Sequence, residues 1–147
     1  MRIRVLAFVA AVLASPAALG ECTVDIEVGD SLSFGTNAIE VPASCESITV
    51  NIKHTGTLPA VAMGHNWVLA ADADWQDVAN AGAASGVEGN FLPADDERII
   101  AATKLVGGGE SDSISFSTSG LDAAGSYTFF CSFPGHWSIM KGTFKLV

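Results

Sequence analysis

The stretch SITVNIKH, residues 47–54, places Ile48, Val50 and Ile52 at every second position with polar residues between them. Side chains along an extended backbone point alternately to opposite faces. A period of two therefore builds a strand with one apolar and one polar face, and it does not suit a helix. The same alternation appears in residues 24–28, in residues 113–117 and at Phe144-Lys145-Leu146. Turn-forming sequences separate these runs: Gly29-Asp30, Gly35-Thr36-Asn37, Gly107-Gly108-Gly109 and Ser119-Gly120. Many short half-buried strands must cover their apolar faces with one another, which predicts an antiparallel sandwich or barrel and not a βαβ fold. One segment departs from the pattern. Residues 72–84 are rich in Ala, with Asp74, Trp75, Val78 and Ala79 near helical spacing ahead of Gly82 and Gly86, and predict a short helix inserted between strands.

The N-terminus is of another kind. A basic tip (Arg2, Arg4), an apolar run from Val5 to Ala14 and a small-residue stretch follow the order of a secretory signal, with cleavage expected after Gly20. The apolar run is far shorter than the roughly 20 residues that span a bilayer. The expected organisation is a signal peptide at residues 1–20 and one folded domain at residues 21–147. The full chain carries seven Lys and Arg against 16 Asp and Glu; without Arg2 and Arg4, five cations face 16 anions, a net charge of −11. Such an acidic domain is repelled by nucleic acid and by anionic lipid, so neither is an expected partner.

An exported chain with three cysteines suggests one disulfide and one remaining thiol. Pairing Cys22 with Cys45 closes a loop of about 24 residues, worth roughly 3.5 kcal/mol in the chain-entropy model. The competing pairings consume Cys131.

Cys131 opens the stretch CSFPGHWSIM, residues 131–140, which packs a thiol, an imidazole and a thioether into ten positions. Alternation through YTFFC puts Tyr127, Phe129 and Cys131 on one face, and Pro134-Gly135 turns the chain so that His136 returns toward Cys131. Met140 lies four residues further on. A metal that cycles between one-electron states needs soft sulfur for Cu(I) and imidazole for both states, and two His with one Cys and a long axial Met meet that need. The second His must be His54 or His65. His65 begins an apolar strand, and Gly64 before it lets a carbonyl approach an ion closely. His54 continues the apolar face of Ile48, Val50 and Ile52, and reads as a buried neighbour of the site. Trp67 reads as core.

The segments CTVDIEV, NAIEVPASC, LPAVAMGHNWVL, TKLVGGGESDSISF and YTFFCSFPGHWSIMKGT, in this order and spacing, resemble the azurins, blue-copper proteins of the cupredoxin family. The likeness covers essentially the whole chain after residue 20. It implies an all-β fold, an eight-stranded Greek-key β-sandwich with one short inserted helix, and one type 1 copper per chain. By the same resemblance His65, Cys131 and His136 match the equatorial copper ligands, Met140 the weak axial ligand and the Gly64 carbonyl the opposite axial oxygen. Cys22 and Cys45 match the family disulfide. Asn66 matches the residue that ties the two ligand loops together, and Phe133 and Pro134 match positions that shield the metal. Residues of this kind hold ligands still and tune a potential.

The function so implied is that of a soluble periplasmic electron carrier, monomeric and without enzymatic activity. Its expected partners are redox proteins such as c-type cytochromes or periplasmic reductases, docking briefly at an apolar patch around His136 that includes Leu32, Leu58, Met63, Pro134 and Trp137. A copper oxidase or nitrite reductase needs further histidine-rich sites than three histidines supply. A periplasmic copper-storage protein is the alternative, although such proteins favour exposed, Met-rich or multi-Cys sites over one closed set. Trp137 has two open readings: it widens the docking patch, or it covers His136.

Overall fold

The computed structural model describes residues 21–147; the expected signal at residues 1–20 lies outside them. Eight strands run in the order β1 (Thr23–Val28), β2 (Ala38–Val41), β3 (Ser47–His54), β4 (Val68–Ala71), β5 (Ile99–Ala102), β6 (Ser111–Ser117), β7 (Tyr127–Phe130) and β8 (Lys141–Leu146). They form two sheets, β1-β3-β6 and β2-β8-β7-β4-β5. The sandwich is mixed and not purely antiparallel, because β1 runs parallel to β3 and β2 parallel to β8. The chain leaves the first sheet after β1, makes β2 in the second and returns for β3, so β1 and β3 meet pointing the same way. Alternation of side chains says which face is apolar but not which way a neighbour runs.

The faces fall where the alternation puts them. Ile48, Val50 and Ile52 are buried between the sheets with Trp67, Phe129 and Phe144, and His54 continues that face into the interior. Trp67 lies 6.1–6.3 Å from the rings of Phe116, Phe129 and Phe144, within the range of favourable aromatic pairs. Cys22 and Cys45 form a disulfide that ties β1 to the turn before β3.

The inserted helix α2 spans Trp75–Gly82 and tightens into a 3₁₀ turn at Ala83–Ser85, starting three residues later than the Ala-rich run suggests. It covers the outer face of the larger sheet, where Val78 and Ala79 pack on Val68, Ala70 and Phe130. A second helix, the single turn α1 at Ala60–Met63, was not expected from the sequence. One turn gives too short a period to detect, and it ends where Gly64 begins the site.

β7 thus presents two faces to two clusters. Phe129 and Cys131 point between the sheets, and Phe130 points outward beneath α2.

Candidate metal centre

Two loops at one end of the sandwich supply the donors. The first runs from α1 into β4. His65 is held by a two-way backbone bridge to Val106, with N···O distances of 3.0 and 2.8 Å. Gly64 is buried and tightly enclosed: a Cβ there would stand 2.5 Å from the Ala60 carbonyl oxygen and 2.8 Å from the Leu105 side chain. Any larger residue must displace the backbone that delivers His65.

The second loop leaves β7 at Cys131. The His136 N–H donates to the Phe133 carbonyl at 2.9 Å, and Gly135 takes a φ of 86°, a conformation that glycine adopts without penalty. The Met140 N–H then donates to the His136 carbonyl at 2.8 Å, and the Cys131 N–H to the Met140 carbonyl at 3.0 Å. These bonds bring Met140, only 1% exposed, back beside Cys131.

The result gathers His65, Cys131 and His136, with their donor atoms all within 4.8 Å of one another. Cys131 Sγ lies 3.8 Å from His65 Nδ1 and 3.7 Å from His136 Nδ1. A metal with bonds of about 2.3 Å to sulfur and about 2.05 Å to nitrogen, 120° apart, separates those donors by about 3.8 Å. The observed spacings therefore suit a trigonal N₂S set. His65 and Cys131 are fully buried, and His136, 6% exposed, is the outermost of the three.

Each donor is oriented from behind. His65 Nε2–H donates to the Gly29 carbonyl at 2.8 Å, which fixes the tautomer and leaves the Nδ1 lone pair facing the sulfur. His54 stacks on His65 with ring centroids 5.2 Å apart. Its own nitrogens are occupied, since Nδ1 accepts from the Gly56 N–H and Nε2 donates to the Met63 carbonyl. His54 is thus a supporting neighbour, as its apolar face implied. On the solvent side the Phe133 ring lies on His136 at 4.2 Å, and Phe91 meets Phe133 edge-on at 4.9 Å.

Burial sets the proton states. It pushes the Cys131 thiol up to about 11, against a smaller downward pull from the Asn66 and Phe133 backbone N–H groups. It pushes His136 down to about 4, helped by the nearby His65. His65 is lowered too, chiefly by burial, with the Gly29 carbonyl opposing. Neutral imidazoles beside a soft sulfur, shut away from water, are suited to holding a borderline or soft metal ion.

Asn66 joins the two loops. Its Nδ2 donates to Ser132 Oγ at 2.8 Å and to the Asn90 carbonyl at 3.0 Å, and its Oδ1 accepts from the Ser132 N–H at 2.8 Å. Sequence reasoning picked out Asn66 but missed Ser132, Asn90, Phe91 and the Gly29 carbonyl. Asn90 and Phe91 have positive φ values of 57° and 52°; asparagine is enriched in that conformation and was the available signal, whereas phenylalanine gives none. Trp137 has a packing role that neither open reading named. Its ring meets Trp75 edge-on at 6.0 Å and joins the cluster under α2, while Phe133 is the ring that lies on His136.

A two-sheet sandwich with a buried His-Cys-His set at one end defines a class of small metal-binding β proteins, and the comparisons with known proteins narrow it. The model of the copper binding proteins of the plastocyanin/azurin family matches residues 20–147. An azurin of Bordetella pertussis is 53% identical over 137 residues, covering 93% of this chain and 91% of its own. An azurin of Pseudomonas aeruginosa is 51% identical over 134 residues, covering 91% and 90%. The solved structure of azurin Az-iso2 from Methylomonas sp. strain J superposes with a TM-score of 0.83 at 48% identity, covering 86% of this chain and 98% of that one. The chain belongs to the plastocyanin/azurin family of copper binding proteins.

Proposed function

We propose that this chain is a soluble periplasmic electron carrier built around one type 1 copper, and not an enzyme. The observation that carries the reading is the buried near-trigonal grouping of Cys131 Sγ with the Nδ1 atoms of His65 and His136. These three residues would be the equatorial ligands, with Met140 and the Gly64 carbonyl as weak axial ones. When bound, copper supplies the one-electron couple between Cu(I) and Cu(II).

The protein's own contribution is rigidity and access. The Gly29 carbonyl, the Asn66–Ser132 seam and the tight fit at Gly64 keep the donors where they are whichever charge the site carries. A fixed donor set needs little rearrangement between two oxidation states that otherwise prefer different geometries. His136, the outermost donor, is the natural point of electron entry and exit. Leu58 (41% exposed), Val61 (67%) and Ile139 (64%) are exposed apolar residues on the donor-bearing loops, joined by Pro134. Such a surface suits brief docking of c-type cytochromes or periplasmic reductases to a monomeric carrier. Removal of residues 1–20 on export would leave the acidic domain to favour basic partners, so association with a basic cytochrome should slow as salt rises.

The deciding experiment adds Cu(II) to the purified protein and records the visible spectrum. An intense blue thiolate-to-copper band, absent in Cys131→Ser and bleached reversibly on reduction, supports the carrier reading. A colourless protein refutes it.

A further inference from the structure

We propose that Trp75 is a positioning residue for the metal site, acting from the opposite face of the sheet. Three chain neighbours of the proposed ligands meet on its ring. Phe130, just before Cys131, lies 5.7 Å away between centroids. Trp137, just after His136, lies edge-on at 6.0 Å. Lys141, just after Met140, sets its Nζ 4.6 Å over the ring.

The geometry gives this convergence a mechanical meaning. Cys131, His136 and Met140 are buried on the site side, and Phe130, Trp137 and Lys141 turn outward to Trp75. Successive residues at the end of β7 and the start of β8 point to opposite faces, so fixing Phe130 and Lys141 fixes the directions of Cys131 and Met140; His136 and Trp137 share one turn, closed by the Ile139 and Met140 N–H groups on the His136 carbonyl, so holding Trp137 holds that turn. Trp75 is itself anchored, because it opens α2, whose Val78 and Ala79 are buried on the outer face of β4 and β7. Edge-to-face aromatic pairs and a cation held over an indole are directional contacts, unlike general apolar burial. They act on the one loop that carries three donors, while His65 is held independently by Gly29 and Val106.

The proposal rests on the ligand assignment above, and its test begins without metal so that the two can fail separately. In the metal-free protein, amide hydrogen exchange is followed at Cys131, His136 and Met140, whose N–H groups are hydrogen-bonded within the loop, and at Val50 and Ile52 in β3 as a reference for global opening. Trp75→Ala should speed exchange at the three loop amides at least about tenfold more than at Val50 and Ile52. Val78→Ala, which weakens the same outer cluster, Phe130 included, but leaves Trp137 and Lys141 on the Trp75 ring, should speed exchange at His136 and Met140 no more than at Val50 and Ile52. Trp75→Phe, which keeps an aromatic ring, should restore most of the protection. If Trp75→Ala does not fold, Lys141→Gln and Trp137→Ala carry the same comparison. In the copper-loaded protein, Trp75→Ala should alter the copper hyperfine splitting in electron paramagnetic resonance while Val78→Ala leaves it unchanged. Equal exchange factors at loop and reference amides in Trp75→Ala, or in both substitute variants, overturn the proposal. A preserved exchange contrast in a protein that never turns blue leaves the clamp standing and removes the copper reading instead.

Discussion

At neutral pH the metal-free site holds one proton that any three-donor metal must displace. The Cys131 thiol, pushed up to about 11, is protonated at pH 7, whereas His136, pushed down to about 4, and the lowered His65 are already neutral. His65 keeps its Nε2 proton for Gly29, so its Nδ1 is ready to bind. Ionising the thiol across four pH units costs about 5.5 kcal/mol at 1.36 kcal/mol per unit, and this cost is charged against metal affinity. Apparent affinity should therefore rise about tenfold per pH unit from pH 7 to 9, with one proton released per ion. Below about pH 4, His136 adds a second proton and the slope steepens. Zn²⁺ is the suitable probe, because it accepts Cys and His ligands and does not oxidise the thiol. Titration calorimetry at pH 7 in buffers of differing ionisation enthalpy counts the protons directly. A count of zero would mean that the thiolate is already formed, and a count of two that a histidine is charged. Either result, or an affinity flat between pH 7 and 9, refutes the argument that burial governs this site.

The same groups shape the stability of the metal-free fold. The unfolded chain takes up histidine protons near pH 6.5 while folded His136 resists until about 4, so stability present above 6.5 should fall as pH drops through that window, by at most about 3 kcal/mol from His136. Cys131 works in reverse: its folded value is raised from 9.0 to about 11, so stability should decline as pH rises through that range, and urea midpoints measured from pH 4 to 11 should trace a plateau between the two slopes. Replacing Asn66 by Ala strands the buried Ser132 N–H and empties the seam, which should cost about 3 kcal/mol and lower the thermal midpoint by about 10 °C. Replacing Cys22 and Cys45 together by Ala reopens a loop of sequence separation 23, and urea unfolding should show a loss of about 3.4 kcal/mol in the chain-entropy view.

What the sequence disclosed followed from how local each signal is. The strands β3 and β6 were legible because a period of two over seven or eight residues has no competing explanation. That Cys131, His136 and Met140 come together was legible because they share one short loop, and that His65 joins them because only one other histidine competed with it. Parallel pairing of β1 with β3 was invisible, since direction leaves no mark on a side-chain pattern. The Gly29 carbonyl was invisible for a related reason: any residue type offers the same backbone oxygen. Trp137 could not be assigned because its partner, Trp75, lies 62 positions earlier and on a helix that reads as an unremarkable insertion.

The seam between Asn66 and Ser132 joins residues 66 positions apart, and β3 finds β6 across a similar span. Contacts this distant in sequence form late, and sandwiches dominated by them fold on the millisecond to second scale. The full donor set, His65 included, exists only after the seam has closed. An ion therefore binds the finished fold more tightly than the open chain, which lowers the population of open molecules by mass action. Bound metal should accordingly lengthen the lifetime of the folded protein and leave the speed of its formation unchanged, acting as a latch and not as a template.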